Sequence, residues 1–113
     1  MDALKINTLE QIRDALEIIE DARDDSSLTP MEKSGLEKAA VQLRNIERSI
    51  IKKKEQELVA SLTDDSMALK GLVVQIRGSA KKLAAVANAI EKTSKVVEAV
   101  IKAAKGASSA GLL

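Results

Sequence analysis

The 113-residue chain contains no cysteine, no histidine and no aromatic residue. Without cysteine it can form neither a disulfide nor a thiolate zinc site, and without histidine it lacks the commonest general base and metal ligand. No glycine-rich phosphate loop or nucleophile elbow is present either. The sequence therefore predicts a protein that is not an enzyme, with no cofactor, no metal ion and no small-molecule substrate.

The lack of aromatic residues also limits the fold. Aromatic side chains bury large areas and fill thick cores, so a core without them must be thin and built from Leu, Ile, Val and Ala. Thin aliphatic cores are typical of seams between helices. The composition predicts an all-α protein and disfavours an aromatic-lined ligand pocket.

Long hydrophobic runs are missing as well. Residues 1–7 have no basic region followed by an apolar run, and no stretch reaches 18 apolar residues without a charge. We therefore expect a cytoplasmic protein, or one that is exported without a cleaved signal peptide.

Charge is unevenly distributed along the chain. Residues 1–65 contain 15 acidic and 10 basic residues, whereas residues 66–113 contain 2 acidic and 8 basic residues. Opposite charges on the two halves favour folding of one half onto the other, or head-to-tail stacking with a second copy.

The apolar spacing predicts three helices, at about 8–24, 30–62 and 65–105. Thr8 is the expected cap of the first helix. Thr29, Pro30 and Glu32 have the spacing of a capping box with proline at the first helical position, which marks the start of the second. The apolar stripe of this second helix is interrupted by the charged residues 52–57 and resumes at Leu58.

The third predicted helix has the most regular pattern. Its stripe repeats every seven residues, at Leu69, Ile76, Leu83, Ile90, Val97 and Ala104. A heptad repeat of this length is typical of coiled-coil-like packing. A separate strip of small residues, at Gly71, Gly78, Ala85 and Ala99, would let a neighbouring backbone come close. Gly106 is the expected C-cap, and residues 107–113 are predicted to be a flexible tail.

The segment Thr63–Ser66 determines how the last two helices are connected. Thr63, Asp65 and Ser66 are good N-cap residues, which favours a tight turn there. The alternative is one continuous helix over 30–105, since no glycine or proline forbids it at this point. We predict a single helical domain over residues 1–106: an elongated antiparallel helical hairpin with a shorter N-terminal helix beside it, forming a coiled-coil-like three-helix bundle.

A hairpin of this length would outrun the short first helix and leave apolar surface of the third helix uncovered. The residues predicted to form the partner interface are Leu83, Val86, Ala87, Ile90, Val97, Val100 and Ile101. The predicted function is that of a non-catalytic assembly or adaptor protein that acts by helix packing, either with itself or with a partner helix. The alternatives are a membrane-active helical protein, as a peripheral binder or small pore-former, and a helical inhibitor or chaperone of one partner.

Other readings of the charged residues are weaker. Nucleic-acid binding through Lys52–Lys54 is disfavoured, because Glu55 and Glu57 partly neutralise the run and no aromatic residue can stack on a base. The carboxylates of the first helix are best explained as a solvated face. A membrane is possible but not favoured, because aromatic anchors are missing. The composition and heptads are similar to those of the exported axial proteins of bacterial secretion and flagellar systems, a resemblance that involves no motif.

Overall fold

The computed structural model describes residues 2–53, 55–78 and 83–109, and at residues 2, 55, 56 and 107–109 it describes the backbone alone. These residues form four successive α-helices: α1 (Asp2–Arg23), α2 (Pro30–Lys52), α3 (Glu55–Arg77) and α4 (Ala84–Ser109). The described residues contain no strand. The all-α prediction is therefore confirmed.

The four helices form a closed ring of neighbours. α1 packs against α2 and α4, and α3 also packs against α2 and α4. The helices contain 22 to 26 residues each, so each is about 33–39 Å long at 1.5 Å per residue. Their similar lengths let them lie side by side in a bundle with extents of 52 × 21 × 18 Å.

Two ion pairs show that α1 and α2 run antiparallel. Arg13 Nε lies 3.2 Å from Glu47 Oε2, and Arg23 lies 3.7 Å from Glu37. A step of ten residues forward along α1, from Arg13 to Arg23, corresponds to a step of ten residues back along α2, from Glu47 to Glu37. That relation holds only when the two helices are antiparallel in one fixed register.

α3 and α4 are related in the same way. Lys70 pairs with Glu98 and Arg77 pairs with Glu91, so seven residues forward on α3 match seven residues back on α4. All these side chains are partly exposed to solvent, and exposed pairs contribute only ~0–1 kcal/mol each. The pairs therefore select the register of the two hairpins, α1–α2 and α3–α4, and most of the stability comes from the core.

Local side-chain chemistry defines the connection between α1 and α2. The backbone N–H and the hydroxyl of Ser27 donate to Asp25 Oδ1 at 2.9 and 2.6 Å. Thr29 and Glu32 form a complete capping box, each side chain accepting from the other residue's backbone N–H at 3.1 and 2.9 Å. Leu28 between them is buried. This start of α2 is confirmed as predicted.

One aliphatic core receives residues from every helix. Its largest fully buried side chains are Ile12, Ile19, Leu36, Leu43, Ile46, Leu58, Leu62, Leu69, Ile76, Leu83, Val86 and Ile90. The heptad-spaced residues of the predicted third helix belong to this core, although they lie on two different helices. The pattern therefore predicted their burial correctly but not their connection.

The predicted turn at Thr63–Ser66 is wrong, and so is the three-helix hairpin built on it. α3 runs from Glu55 to Arg77 through this segment without interruption. The chain reverses instead between Lys52 and Glu55, and again between Arg77 and Ala84. The continuous helix over 30–105 is contradicted by the same two breaks. Four helices of similar length can bury their apolar faces on one another. A long hairpin beside a short helix would leave part of its apolar surface uncovered.

Two helix ends also differ from the prediction. α1 begins at Asp2, and Thr8 lies inside it, where its buried hydroxyl donates to the carbonyl of Leu4 at 2.7 Å. A threonine that bonds back to its own helix in this way needs no cap position. α4 continues past Gly106 to Ser109, so the predicted C-cap is wrong and the predicted tail begins in the helix. The rest of that tail, 110–113, lies outside the described residues.

Candidate functional site

The seven residues predicted to form a partner interface lie on or just before α4 and face the interior of the bundle. Six of them are buried: Leu83, Val86, Ala87, Ile90, Val97 and Val100, none more than 2% exposed. Ile101 is half-buried at the edge of the same core. The expectation that they form an uncovered strip is therefore wrong for the folded chain, because α1 and α3 pack against α4.

Two strongly exposed apolar side chains instead lie on one face of α3. Met67 is 69% exposed and Val74 is 74% exposed. They are seven residues apart and therefore lie on one face of the helix, with the exposed Gly71 between them. We call Met67, Gly71 and Val74 the α3 ridge. It faces away from the core stripe of α3, so this helix is apolar on two opposite sides.

An open groove lies between the α3 ridge and α2. Its apolar part is formed by Val41, Ala68 and Leu72, and Val41 is 52% exposed. Glu37 and Lys38 lie on its α2 side and supply one charge of each sign. The exposed apolar surface of the ridge thus extends across this groove onto α2.

A second groove, of about 670 Å³, lies on the other side of the ridge between α3 and α4. Val73 and Val74 form its apolar wall. The charged side chains along it are of both signs and include the pairs Lys70–Glu98 and Arg77–Glu91; they are Lys70, Arg77, Glu91, Lys95 and Glu98. The ridge is therefore bordered by two grooves that each have an apolar part and charges of both signs.

Each groove contains one polar atom that has no hydrogen-bond partner among the described residues. Gln42 Oε1 lies at the α2–α3 groove, and Ser94 Oγ lies at the α3–α4 groove. By contrast, the buried Thr93 beside Ser94 donates its hydroxyl to the carbonyl of Ala89 at 2.9 Å. Unpaired buried polar atoms destabilise a fold, so both grooves carry a local cost that the rest of the core does not.

A third, polar groove lies near the short connection between α2 and α3. Lys53 follows the end of α2, and its backbone N–H donates to the carbonyl of Ser49 at 2.9 Å. Its ammonium group hydrogen bonds to the hydroxyl of Ser61 on α3. Arg48, Lys52, Asp64 and Asp65 complete this surface, which thus places bases of α2 opposite acids of α3.

The electrostatics of this groove act most strongly on Asp65. Partial burial raises the pKa of its carboxyl above the ordinary 3.8, the neighbouring charge of Asp64 raises it further, and Lys53 opposes both effects. The native state therefore binds the proton of Asp65 more tightly than the unfolded chain does. The free energy of unfolding must therefore fall as the pH rises from 3.8 through the raised pKa of Asp65. Ionised Asp65 thus destabilises the fold at neutral pH.

We expect Asp65→Asn to raise the free energy of unfolding at neutral pH, by less than about 1 kcal/mol because the site is only partly buried. The gain should disappear below pH 3.8, where the carboxyl is protonated in both states. Urea unfolding from pH 3 to pH 8 measures this. Asp64→Asn is the matched control and should give a smaller gain, because it acts only through its charge on Asp65. A loss of stability in Asp65→Asn at neutral pH would show that the attraction to Lys53 outweighs burial.

No group of three or more His, Cys, Asp or Glu side chains among the described residues is arranged to hold a metal ion. No helix in this part of the chain is both long and apolar enough to cross a bilayer.

The fold and the ridge define an all-α, four-helix protein with an exposed apolar face on its third helix. No family model, no curated protein and no solved structure matches the chain. Its function therefore has to be inferred from its own surface.

The ridge was missed at the sequence level, although two signals for it were present. Gly71 and Gly78 were recognised as a strip that would admit a neighbouring backbone. Met67 and Val74 lie beside this strip and outside the stripe of Leu69, so they were available as a second apolar face. They were overlooked because the single third helix predicted over 65–105 was taken to account for every apolar residue after position 66.

Proposed function

We propose that the protein is a non-catalytic helical assembly protein that associates with a second copy of itself through the α3 ridge. The observation that carries this proposal is the exposure of Met67 and Val74 on one helix face. Single exposed apolar residues are ordinary on protein surfaces, but an apolar face that continues into two grooves is typical of interaction sites.

The shape of the surface supports a helix as the occupant. A Cβ atom placed on Gly71 would meet no atom within 4 Å, so none of the residues that the structure describes occupies the space above this position. A helix crossing there can bring its backbone close to α3. Helices pack by fitting the side-chain ridges of one into the grooves of the other, and here ridge and grooves lie side by side.

The same arrangement favours a second copy over an unrelated helix. In a two-fold dimer each subunit presents the same patch, so the patch must be complementary to itself. A ridge bordered by grooves meets this requirement, because the ridge of each copy can occupy a groove of the other. The rim of the α3–α4 groove also carries Lys70, Lys95 and Glu98, so charges of both signs are available for pairing across the dimer.

Replacing the two exposed ridge side chains tests the proposal. We expect Met67→Glu with Val74→Glu to weaken self-association at least tenfold in sedimentation equilibrium, because burying two unpaired carboxylates at the contact is costly. Ile6→Glu is the matched control. Ile6 is an exposed aliphatic residue on α1, 56% accessible and outside the ridge. Its replacement should leave the association unchanged.

A wild-type chain that remains monomeric over the accessible concentration range would contradict self-association through the ridge. An effect of Ile6→Glu equal to that of the ridge variant would contradict the location. In the monomeric case the ridge would be assigned to a foreign helix, as an adaptor, inhibitor or chaperone requires. Flotation with anionic vesicles would instead favour the membrane-active alternative, with the basic side chains of α4 as the contact.

A further inference from the structure

Ion pairs link the helices of the bundle into two hairpins. The ion pairs Arg13–Glu47 and Arg23–Glu37 lie within the α1–α2 hairpin, and Lys70–Glu98 and Arg77–Glu91 lie within the α3–α4 hairpin. The two hairpins meet through the α2–α3 and α1–α4 contacts. There the aliphatic core side chains of all four helices pack against one another. Each hairpin therefore keeps its own register and exposes a broad apolar face when the other is removed.

The connection between the two hairpins is short and lacks turn residues. Only residues 53 and 54 separate α2 from α3, and Lys53 is extended, with φ −93° and ψ 144°. The sequence over 52–57 is Lys-Lys-Lys-Glu-Gln-Glu, made entirely of good helix formers. The α1–α2 connection is different, because Asp25, Ser27 and the Thr29 capping box hold it by hydrogen bonds. The local preference at residue 53 is thus helical while the fold requires a reversal.

We infer that the chain exchanges its two hairpins with a second copy of itself. In the exchanged dimer α2 and α3 join into one helix through residues 53–54. The α1–α2 hairpin of each copy then packs against the α3–α4 hairpin of the other. The joined helix from Pro30 to Arg77 is about 72 Å long at 1.5 Å per residue.

The second copy is the occupant because it alone presents the same apolar face that each hairpin covers within one chain. The core contacts between the two hairpins are kept, but they form between copies. The ion pairs Arg13–Glu47, Arg23–Glu37, Lys70–Glu98 and Arg77–Glu91 stay within the hairpins as before. The exchange loses the Lys53–Ser61 hydrogen bond and gains helical backbone bonds across the connection. Short connections under local conflict are the ones at which domain exchange occurs.

Exchange gives a second role to the residues that the sequence singled out on the last helix. α4, which carries Ile90, Val97 and Val100, packs against α1 in the folded chain. In the exchanged dimer the α1 beside it belongs to the second copy. This route to a dimer does not require the α3 ridge, so it can hold whether or not the ridge binds a partner.

A pair of introduced cysteines distinguishes exchange from surface docking. An ideal Cβ at Gly35 lies 3.7 Å from Ile76 Cγ1, so the two positions face each other across the α2–α3 contact. The chain has no cysteine of its own, so Gly35→Cys with Ile76→Cys forms one defined bridge. The dimer fraction is isolated by gel filtration after refolding at high concentration, then oxidised and run on a denaturing gel. Exchange predicts a covalent dimer. Bridges confined to single chains in that fraction would overturn it.

A cross-link inside one hairpin is the matched control. Arg13→Cys with Glu47→Cys, joined by a short bis-maleimide, links α1 to α2. This link stays within one chain in both forms, so it should give monomers on the gel whichever form is present. A covalent dimer from this pair would mean that whole hairpins are not the exchanging units.

Proline at position 54 tests the connection itself. The residue before a proline prefers an extended backbone with ψ of about +120° to +160°, and Lys53 already has ψ 144°. Lys54→Pro is therefore compatible with the extended backbone of Lys53 but breaks a continuous helix, and we expect at least a tenfold smaller exchanged fraction than in Lys54→Ala. Equal fractions would overturn the inference.

Combining the variants separates this inference from the proposed function. If the 35–76 bridge joins two chains in the Met67→Glu, Val74→Glu background, exchange holds without the ridge. If those two substitutions abolish the dimer and the bridges stay within single chains, ridge docking holds and exchange is wrong. A chain that forms no dimer even after refolding at high concentration contradicts both.

Discussion

Asp64→Pro is expected to destabilise the protein by about 3 kcal/mol or more, because it places proline in the interior of a helix. Asp64 lies well inside α3, which runs from Glu55 to Arg77. Proline removes the hydrogen bond from residue 64 to the carbonyl of residue 60, and its ring clashes with that carbonyl. Urea unfolding followed by circular dichroism measures the loss. The Asp64 side chain is exposed, so the effect must come from the backbone.

Asp64→Ala is the control for the loss of the carboxylate, and it should be neutral or slightly stabilising because alanine is the better helix former. Lys54→Pro is the positional control, since it lies at the reversal that the structure shows. If Asp64→Pro is tolerated and Lys54→Pro is not, the chain turns near Thr63–Ser66 and α3 is not continuous.

The sequence misplaced this turn because cap residues have a second use inside a helix. Thr63 donates its hydroxyl to the carbonyl of Val59, one turn back, and so satisfies itself without ending the helix. Ser66 is buried, and Asp65 lies with Lys53 in the polar groove near the connection between α2 and α3. Short polar side chains favour a turn when only the sequence is considered. The contacts that they make in the folded chain let them lie inside a helix instead.

The actual reversal had a signal of a different kind. The charged run over 52–57 interrupts the apolar stripe, and the break between α2 and α3 falls inside it. Residues without an apolar face contribute nothing to a core, so a reversal there costs no burial. Helix propensity gave the opposite prediction, because each of these residues favours a helix.

The heptad pattern predicted which residues are buried but not how the helices are connected. Leu69 and Ile76 on α3, and Ile90 and Val97 on α4, are all buried, as their spacing predicted. The repeat stays in phase across the reversal that begins at Gly78, so spacing alone could not reveal it. Burial of this stripe follows from the spacing of its apolar residues along a helix face, whereas the path of the chain depends on whether two helices pack better than one long one.

The spacing of apolar residues could not predict which face of α3 is exposed. Val74 is as apolar as Val73, yet Val73 is 8% exposed and Val74 is 74% exposed. The difference depends on the direction in which α3 turns its stripe, which is set by α2 and α4 together. A sequence read as three helices has no such arrangement, so it left the stripe of the last helix uncovered, whereas the fold buries it.

Ile90→Ala gives the second large effect and tests whether the apolar stripe of α4 is buried in the monomer. Ile90 is fully buried in the core. Truncating a buried isoleucine to alanine removes its transfer free energy and leaves a cavity, at a cost of about 2–5 kcal/mol. We expect a loss of this size in urea unfolding of the monomer, measured at a concentration too low for association.

Val74→Ala is the control of similar chemistry on the exposed face, and its effect on monomer stability should be within about 0.5 kcal/mol. The two variants should exchange roles in an association assay, because Val74 lies on the α3 ridge and Ile90 does not. If Ile90→Ala instead leaves the monomer as stable as wild type and weakens its association, then α4 presents its stripe to a partner, and the packing of the core described here is wrong.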